Sequence, residues 1–90
     1  MKMFNTLNFK PVRPEHWQAK QQFGRYQLSV ILEPGKTLYE AAVFDDDLFV
    51  QLPGIHPNYY EAFSDDVIPG LLPDDVSGIM HKLKMLEGPK

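Results

Sequence analysis

The sequence predicts an α+β fold: a three- or four-stranded antiparallel sheet packed by a C-terminal helix, with a short helix near the N-terminus. Residues 26–33 alternate apolar and polar side chains, as a half-buried strand does. Residues 76–86 instead place their apolar side chains at the helical period. The first pattern indicates a sheet with one buried face, and the second indicates the helix that covers it.

Three consecutive strands are expected in the middle of the chain. After residues 26–33, Pro34 and Gly35 favour a type II turn, since proline fixes φ at its second position and glycine accepts the positive φ that follows. Residues 38–44 and 48–52 are rich in aromatic and β-branched side chains, and a short acidic turn separates them. The pattern predicts an antiparallel meander.

The C-terminal helix is indicated by its apolar stripe and by its ends. Pro73 suits a first helical turn, and Gly88 and Pro89 end the helix. Gly78 lies inside it, at a cost of about 1 kcal/mol relative to alanine. The stripe that should pack on the sheet consists of Val76, Ile79, Met80, Leu83 and Leu86.

The remaining segments have weaker patterns. Residues 3–9 could form a loose edge strand, and residues 14–23 could form a helix of about ten residues ending before Gly24. A stretch punctuated by proline and glycine follows the third strand, and a one- or two-turn helix is expected in it near Asn58. The chain is thus divided into a basic N-terminal arm with a short helix (1–24), a β-meander (25–52), an acidic aromatic loop (53–73) and a C-terminal helix (74–87).

Composition excludes several classes of protein. The 90 residues are 43% hydrophobic and 23% charged, which is typical of one globular domain. No cysteine is present, which excludes disulfides and thiolate chemistry. No stretch resembles a signal peptide or approaches the roughly 20 apolar residues of a membrane span. A cytoplasmic protein without membrane contact is expected.

Charge is distributed unevenly along the chain. Residues 1–25 hold five basic residues against Glu15 alone. Residues 37–81 hold nine carboxylates and no Lys or Arg. An acidic body with a basic N-terminal arm is predicted, although the net charge is only −3.

Motifs for catalysis are missing from the sequence. The run Asp45, Asp46 and Asp47 lacks the glycine and glutamate that an EF-hand needs at its sixth and twelfth positions, so a solvated hairpin turn is preferred over a weak divalent site. The three histidines are isolated, and the serines and glycines form no nucleophile elbow or phosphate loop. We therefore expect no enzyme, no metal and no cofactor.

An acidic aromatic segment is the preferred candidate for partner binding. Tyrosine is a common interface anchor, and a small core has little room for several neighbouring aromatic side chains. Surrounding carboxylates would steer a basic partner. A packed loop with solvated charges is the alternative. The candidate residues are Tyr59, Tyr60, Glu61, Phe63, Asp65 and Asp66.

The basic arm supports a different function. Phe9, Trp17 and Phe23 are interleaved with cations, as in surfaces that bind phosphates and stack on bases. The preferred interpretation is that Trp17 and Phe23 cap the core and that the cations pair with the acidic body. Direct binding of nucleic acid by the arm stays open as the alternative.

Residues 26–30 and 39–43, followed by residues 72–76 with Met80, resemble the strand–strand–helix pattern of short proteins encoded by bacteriophages and prophages. The resemblance implies an accessory protein that binds a host protein. We therefore expect a non-catalytic protein-binding module that inhibits or modulates a basic or nucleic-acid-handling protein. A homodimer through a sheet edge is plausible as well, because a three-stranded sheet leaves two unpaired edges unless residues 3–9 cover one of them.

Overall fold

The computed structural model describes residues 3–13, 16–52, 55 and 67–87. Within them, a six-stranded antiparallel sheet has the order β1-β2-β3-β4-β5. The sixth strand, β6, also pairs with β4: it contacts residues 39–42 of β4, whereas β5 contacts residues 43–45. The strands are β1 Lys10–Arg13, β2 His16–Phe23, β3 Tyr26–Leu32, β4 Tyr39–Asp45, β5 Leu48–Val50 and β6 Val67–Leu71, and the helices are a 3-10 helix Met3–Thr6 and α1 Pro73–Glu87.

The predicted meander is confirmed as β3, β4 and β5. Leu28 lies opposite Val43 in the β3–β4 pair. The turn between them contains Gly35 at φ +73°, and the Lys36 N–H donates to the Glu33 carbonyl at 3.1 Å. The chain therefore reverses at the proline–glycine turn, as the sequence indicated.

The prediction of a helix over residues 14–23 is wrong, because His16–Phe23 form the long strand β2. This strand pairs with β3 from Trp17 opposite Leu32 to Phe23 opposite Tyr26. Its residues Gln18, Ala19, Lys20, Gln21 and Gln22 favour or tolerate a helix, but pairing with β3 satisfies their backbone and buries Ala19 and Phe23. The sheet is thus larger than the three or four strands predicted.

Residues 67–71 were expected in a loop and instead form β6. Ile68 and Leu71 are buried against the core, with Ile68 opposite Ala41 and Leu71 opposite Tyr39. Pro69 and Gly70 lie between them, and the register shifts at this point. These two residues hide the strand in the sequence, since both are uncommon in strand interiors. The helix expected near Asn58 lies outside the described residues.

The N-terminal segment does not form the edge strand expected for residues 3–9. Met3–Thr6 form the 3-10 helix, and the Phe4 N–H donates to the Ser77 hydroxyl of α1 at 2.8 Å. The Phe4 ring lies 5.7 Å from the Phe9 ring and 5.1 Å from the Tyr39 ring. The 3-10 helix therefore lies on the α1 side of the sheet.

The core lies between α1 and one face of the sheet. Val76, Ile79, Met80 and Leu83 of α1 are buried, as predicted. Leu86 is 54% exposed, so the buried stripe ends one turn earlier than expected. Besides the residues of α1, the core contains sheet residues and Ile55: Phe23, Leu28, Val30, Ala41, Val43, Ile55, Ile68 and Leu71.

Trp17 does not cap this core. Its side chain is 43% exposed near the start of β2, whereas Phe23 at the end of the same strand is buried, as expected. Among the described helices, none combines the length and the apolar character that crossing a membrane requires.

Candidate functional site

The second face of the sheet, which we call the outer face, points away from α1. No described element packs over it, since α1 and the 3-10 helix both lie on the opposite side. Strand alternation and register assign it a mixed set of residues: Gln18, Lys20, Gln22, Gln27, Ser29, Ile31, Glu40, Ala42, Phe44, Phe49 and Val67. Among the described residues, this face of the sheet is therefore not covered by another element.

Near its centre, the outer face is held by a side-chain hydrogen bond between β2 and β3. The Gln18 amide nitrogen donates to the Ser29 hydroxyl at 2.8 Å. Ser29 is buried although it is polar, and this bond satisfies its oxygen. The bond fixes the Gln18 side chain against the sheet.

Two phenylalanines form the apolar part of the outer face. Phe44 and Phe49 lie opposite each other on β4 and β5, with ring centroids 4.4 Å apart. Phe49 is 51% exposed. Because the two rings support each other, they present a rigid aromatic surface to solvent.

The turn between β4 and β5 carries the three consecutive aspartates. We call residues 44–50, which include this turn, the acidic hairpin. Asp46 adopts φ +60°, a conformation that aspartate tolerates better than most residues. Asp46 and Asp47 are exposed, and Leu48 directly after them is 71% exposed. The predicted hairpin turn is confirmed, and exposed apolar side chains adjoin its charges.

Asp45 differs from the other two aspartates because it has a cationic partner. The Arg25 guanidinium forms an ion pair and hydrogen bond with the Asp45 carboxylate. This hydrogen bond, followed by the charge of Asp45, raises the pKa of Arg25 above its ordinary value. Arg25 also lies 5.6 Å from the centre of the Tyr26 ring. The free negative charge of the hairpin is thus carried by Asp46 and Asp47.

Three adjoining depressions form a groove across the outer face. The first, of about 320 Å³, is lined by Asn8, Lys10, Val12, Gln18 and Lys20. The second, of about 170 Å³, is lined by Gln18, Lys20, Gln27, Phe44, Asp46 and Asp47. The third, of about 460 Å³, is lined by Gln22, Arg25, Gln27, Asp45, Asp46 and Asp47.

The groove has opposite charges at its two ends. Lys10 and Lys20 lie at the end formed by β1 and β2, and Asp46 and Asp47 lie at the acidic hairpin. In the described part of the chain, none of these four side chains has an ion-pair partner. Glutamine amides and Phe44 line the groove between them. A surface with the opposite arrangement of charges is complementary to this groove.

The structure describes none of the residues predicted to bind a partner. Tyr59, Tyr60, Glu61, Phe63, Asp65 and Asp66 all lie outside the described residues, so their role stays a prediction. The acidic hairpin offers the same combination of carboxylates and exposed aromatic surface at a different place. The sequence signal was Leu48 and Phe49 directly after three aspartates, which the prediction treated only as a turn and a strand.

The described residues contain no cluster suited to a metal ion, because no three His, Asp or Glu side chains among them converge. His16 lies on β2 and His81 on α1. The described basic side chains among the first 25 residues divide between two parts of the groove: Lys10 and Lys20 line its β1–β2 end, and Arg25 lines its other end, where it pairs with Asp45. The structure therefore separates cations that the sequence placed together.

Comparison of the chain with protein-family models, with curated proteins and with solved structures finds no match in any of the three. Function is therefore inferred from the described surfaces. These define an α+β unit with one open sheet face and an acidic, partly apolar hairpin. The likeness to phage-encoded proteins stays a prediction.

Proposed function

We propose that the chain is a non-catalytic protein-binding module whose acidic hairpin contacts a basic partner protein. One observation supports this most directly: Leu48 and Phe49 are 71% and 51% exposed immediately after the three aspartates. Aromatic side chains such as Phe49 are enriched in the buried centres of interfaces, Leu48 adds apolar area beside it, and the neighbouring carboxylates form a charged rim.

The two parts of the hairpin have different roles in this proposal. Asp46 and Asp47 attract a cationic surface over distances of about 10 Å, the Debye length at ordinary ionic strength. Leu48 and Phe49 point to opposite faces of β5, so a partner that encloses the hairpin buries both side chains and dissociates slowly. The stacking of Phe49 on Phe44 lowers the entropy lost on binding, because the ring is already positioned.

Within this class, the partner that we propose is a basic or nucleic-acid-handling host protein, which the module inhibits or modulates. Proteins that bind nucleic acid expose lysine and arginine clusters toward phosphate. An acidic hairpin with unpaired carboxylates is complementary to such clusters. The proposal therefore assigns the module a surface that competes with nucleic acid.

The test compares capture of proteins from a lysate by the immobilised wild-type chain and by two double variants. Leu48→Ala with Phe49→Ala should remove most captured basic protein through faster dissociation, at a cost of about 2 kcal/mol or more. Asp46→Asn with Asp47→Asn should mainly slow association and flatten its salt dependence. Asparagine keeps the positive φ at position 46 accessible.

The matched control replaces Met85 and Leu86 by alanine. These two side chains are also exposed, at 68% and 54%, but they lie on α1 away from the hairpin. The control should capture the same proteins as the wild type. Equal loss of capture in both apolar double variants, or captured proteins that are not basic, would contradict the proposed function.

A second candidate function is binding of nucleic acid at the basic end of the groove. Lys10 and Lys20 line one depression together with the amides of Asn8 and Gln18, and these groups suit phosphate oxygens. Lys10→Ala with Lys20→Ala should then abolish retention of a single-stranded oligonucleotide and reduce the dependence of binding on salt. No change in retention would eliminate this candidate.

A further inference from the structure

We infer that the outer face of the sheet is self-complementary and that two copies of this chain associate through it as a two-fold symmetric dimer. Lys10 and Lys20 lie on the β1–β2 side of the middle depression, and Asp46 and Asp47 lie on its other side, at the acidic hairpin. A two-fold interface brings the same patch of both copies together, so each end meets the opposite end of its partner.

The symmetry axis that achieves this lies across the middle of the groove. Rotation about an axis perpendicular to the groove and parallel to the sheet exchanges its two ends. The Lys20 side chain of one copy then faces Asp47 of the other, and this contact occurs twice. Phe44 and Gln27, which line the middle depression, lie near the axis and meet their own symmetry mates.

The charges concerned are available for this contact. Lys20, Asp46 and Asp47 are exposed, and among the described residues they form no ion pair within their own chain. The aromatic pair Phe44 and Phe49 beside them adds apolar area that solvent reaches in the monomer. The dimer pairs the free charges and covers this area in one step.

The size of the face sets the strength of the dimer. The five strands from β1 to β5 hold 29 residues. At about 3.3 Å per residue and about 4.8 Å between strands, they give a projected area on the order of 450 Å². Standard interfaces bury about 800 Å² per partner, so this one falls at the small end. The dimer should therefore form in the micromolar to millimolar range and weaken as salt screens its ion pairs.

This inference goes beyond the proposed function and does not depend on it. The proposed function rests on Leu48 and Phe49 and is tested by capture of other proteins. Self-association is tested on the purified chain alone, through Lys20 and Asp47. A chain that dimerises but captures nothing, or the reverse, therefore separates the two.

The experiment measures molar mass by sedimentation equilibrium from about 10 µM to about 1 mM, the range in which weak complexes populate. The wild type should approach dimer mass at the upper end. Lys20→Glu and Asp47→Lys should each raise the dimer Kd by roughly tenfold or more, since each variant places two like-charged contacts in its own dimer.

Mixing the two variants gives the decisive result. In a heterodimer of the Lys20→Glu chain with the Asp47→Lys chain, glutamate meets lysine at one contact and the native pair forms at the other. An equimolar mixture should therefore regain the wild-type Kd, and so should the chain carrying both substitutions. Lys36→Glu and Lys84→Glu, placed in the β3–β4 turn and on α1, should leave the wild-type Kd unchanged.

Three outcomes overturn the inference. One is a wild-type chain that stays at monomer mass at the highest concentration. Another is a dimer whose Kd is unchanged by Lys20→Glu and Asp47→Lys, which would place the contact elsewhere. The third is failure of the mixed variants to associate, provided that circular dichroism shows each variant folded, because a two-fold contact through these charges requires the heterodimer.

Discussion

Leu83 is fully buried between α1 and the sheet, and its side chain is among the largest in the core. Leu83→Ala should lower the free energy of unfolding by about 2–5 kcal/mol, because the core loses apolar contacts and retains a cavity. Urea unfolding followed by circular dichroism measures the change. Leu86→Ala is the control on the exposed side of the same helix and should shift stability by no more than about 0.5 kcal/mol. Similar losses in both variants would contradict the packing of α1.

Two glycines should respond in opposite directions to the same substitution. Gly35 lies at φ +73° in the turn between β3 and β4, where an alanine is strained. Gly78 lies within α1, and a Cβ atom placed there meets no atom within 4 Å. We expect Gly35→Ala to destabilise by about 1 kcal/mol. Gly78→Ala should stabilise by about 0.5–1 kcal/mol, because alanine lowers the entropy of the unfolded chain and favours a helix.

Thermal unfolding of both glycine variants tests the pair. For a chain of this length, 1 kcal/mol corresponds to a shift in Tm of about 4–8 °C. A Gly78→Ala variant that melts below the wild type would contradict the expected stabilisation. It would show that another group approaches the exposed side of α1 closely at Gly78.

At the scale of elements, the start of α1 depends on a side chain that closes its first turn. The Asp75 carboxylate accepts a hydrogen bond from the Leu72 N–H at 2.9 Å, and the Val76 N–H donates to the Leu72 carbonyl at 3.1 Å. Asp75→Ala removes this acceptor and a negative charge at the positive end of the helix dipole. It should cost about 0.5–2 kcal/mol in unfolding free energy.

Asp75→Asn separates the two contributions, because the amide oxygen still accepts the hydrogen bond while the charge is lost. We expect it to cost less than Asp75→Ala, because the hydrogen bond is kept, and we expect its own cost to increase at low salt, where the lost charge is screened less. Equal costs for the two variants at all salt concentrations would assign the effect to charge alone.

The elements that could be predicted are those whose sequence pattern is decided locally. In β3, Leu28 and Val30 alternate with polar neighbours, and in α1 the buried side chains recur at the helical period. The strand β2 could not be recognised in this way, since Gln18 to Gln22 suit a helix in isolation and become a strand only by pairing with β3. The strand β6 was obscured by Pro69 and Gly70.

The candidate site could be predicted only in its chemistry. The excess of carboxylates and the exposed aromatic side chains are visible in the sequence, but the place where they meet is set by the sheet. Phe44 and Phe49 become neighbours through the register of β4 and β5. Likewise, Lys20 and Asp47 line one groove although 26 residues of the chain separate them.

For the whole molecule, the separation of charge across the outer face matters more than the net charge of −3. Cations lie at the β1–β2 side and free carboxylates lie at the acidic hairpin. One side of the sheet face is therefore positively charged and the other side is negatively charged. Such a face orients an approaching charged surface before contact. Partner binding and self-association as proposed both use this orientation.

The hydrogen bond between the Phe4 N–H and the Ser77 hydroxyl joins positions that are 73 residues apart. It connects the 3-10 helix, which is the first described element, to α1, which is the last. Ribosomes add about 5–20 residues per second, so the 16 residues that follow the last strand up to Glu87 take roughly 1–3 s to make. During that time Leu28, Val30 and Val43 have no cover. Folding of this unit therefore completes only after translation has passed Glu87, and its nascent chain is an expected client of chaperones that shield apolar surface on the ribosome.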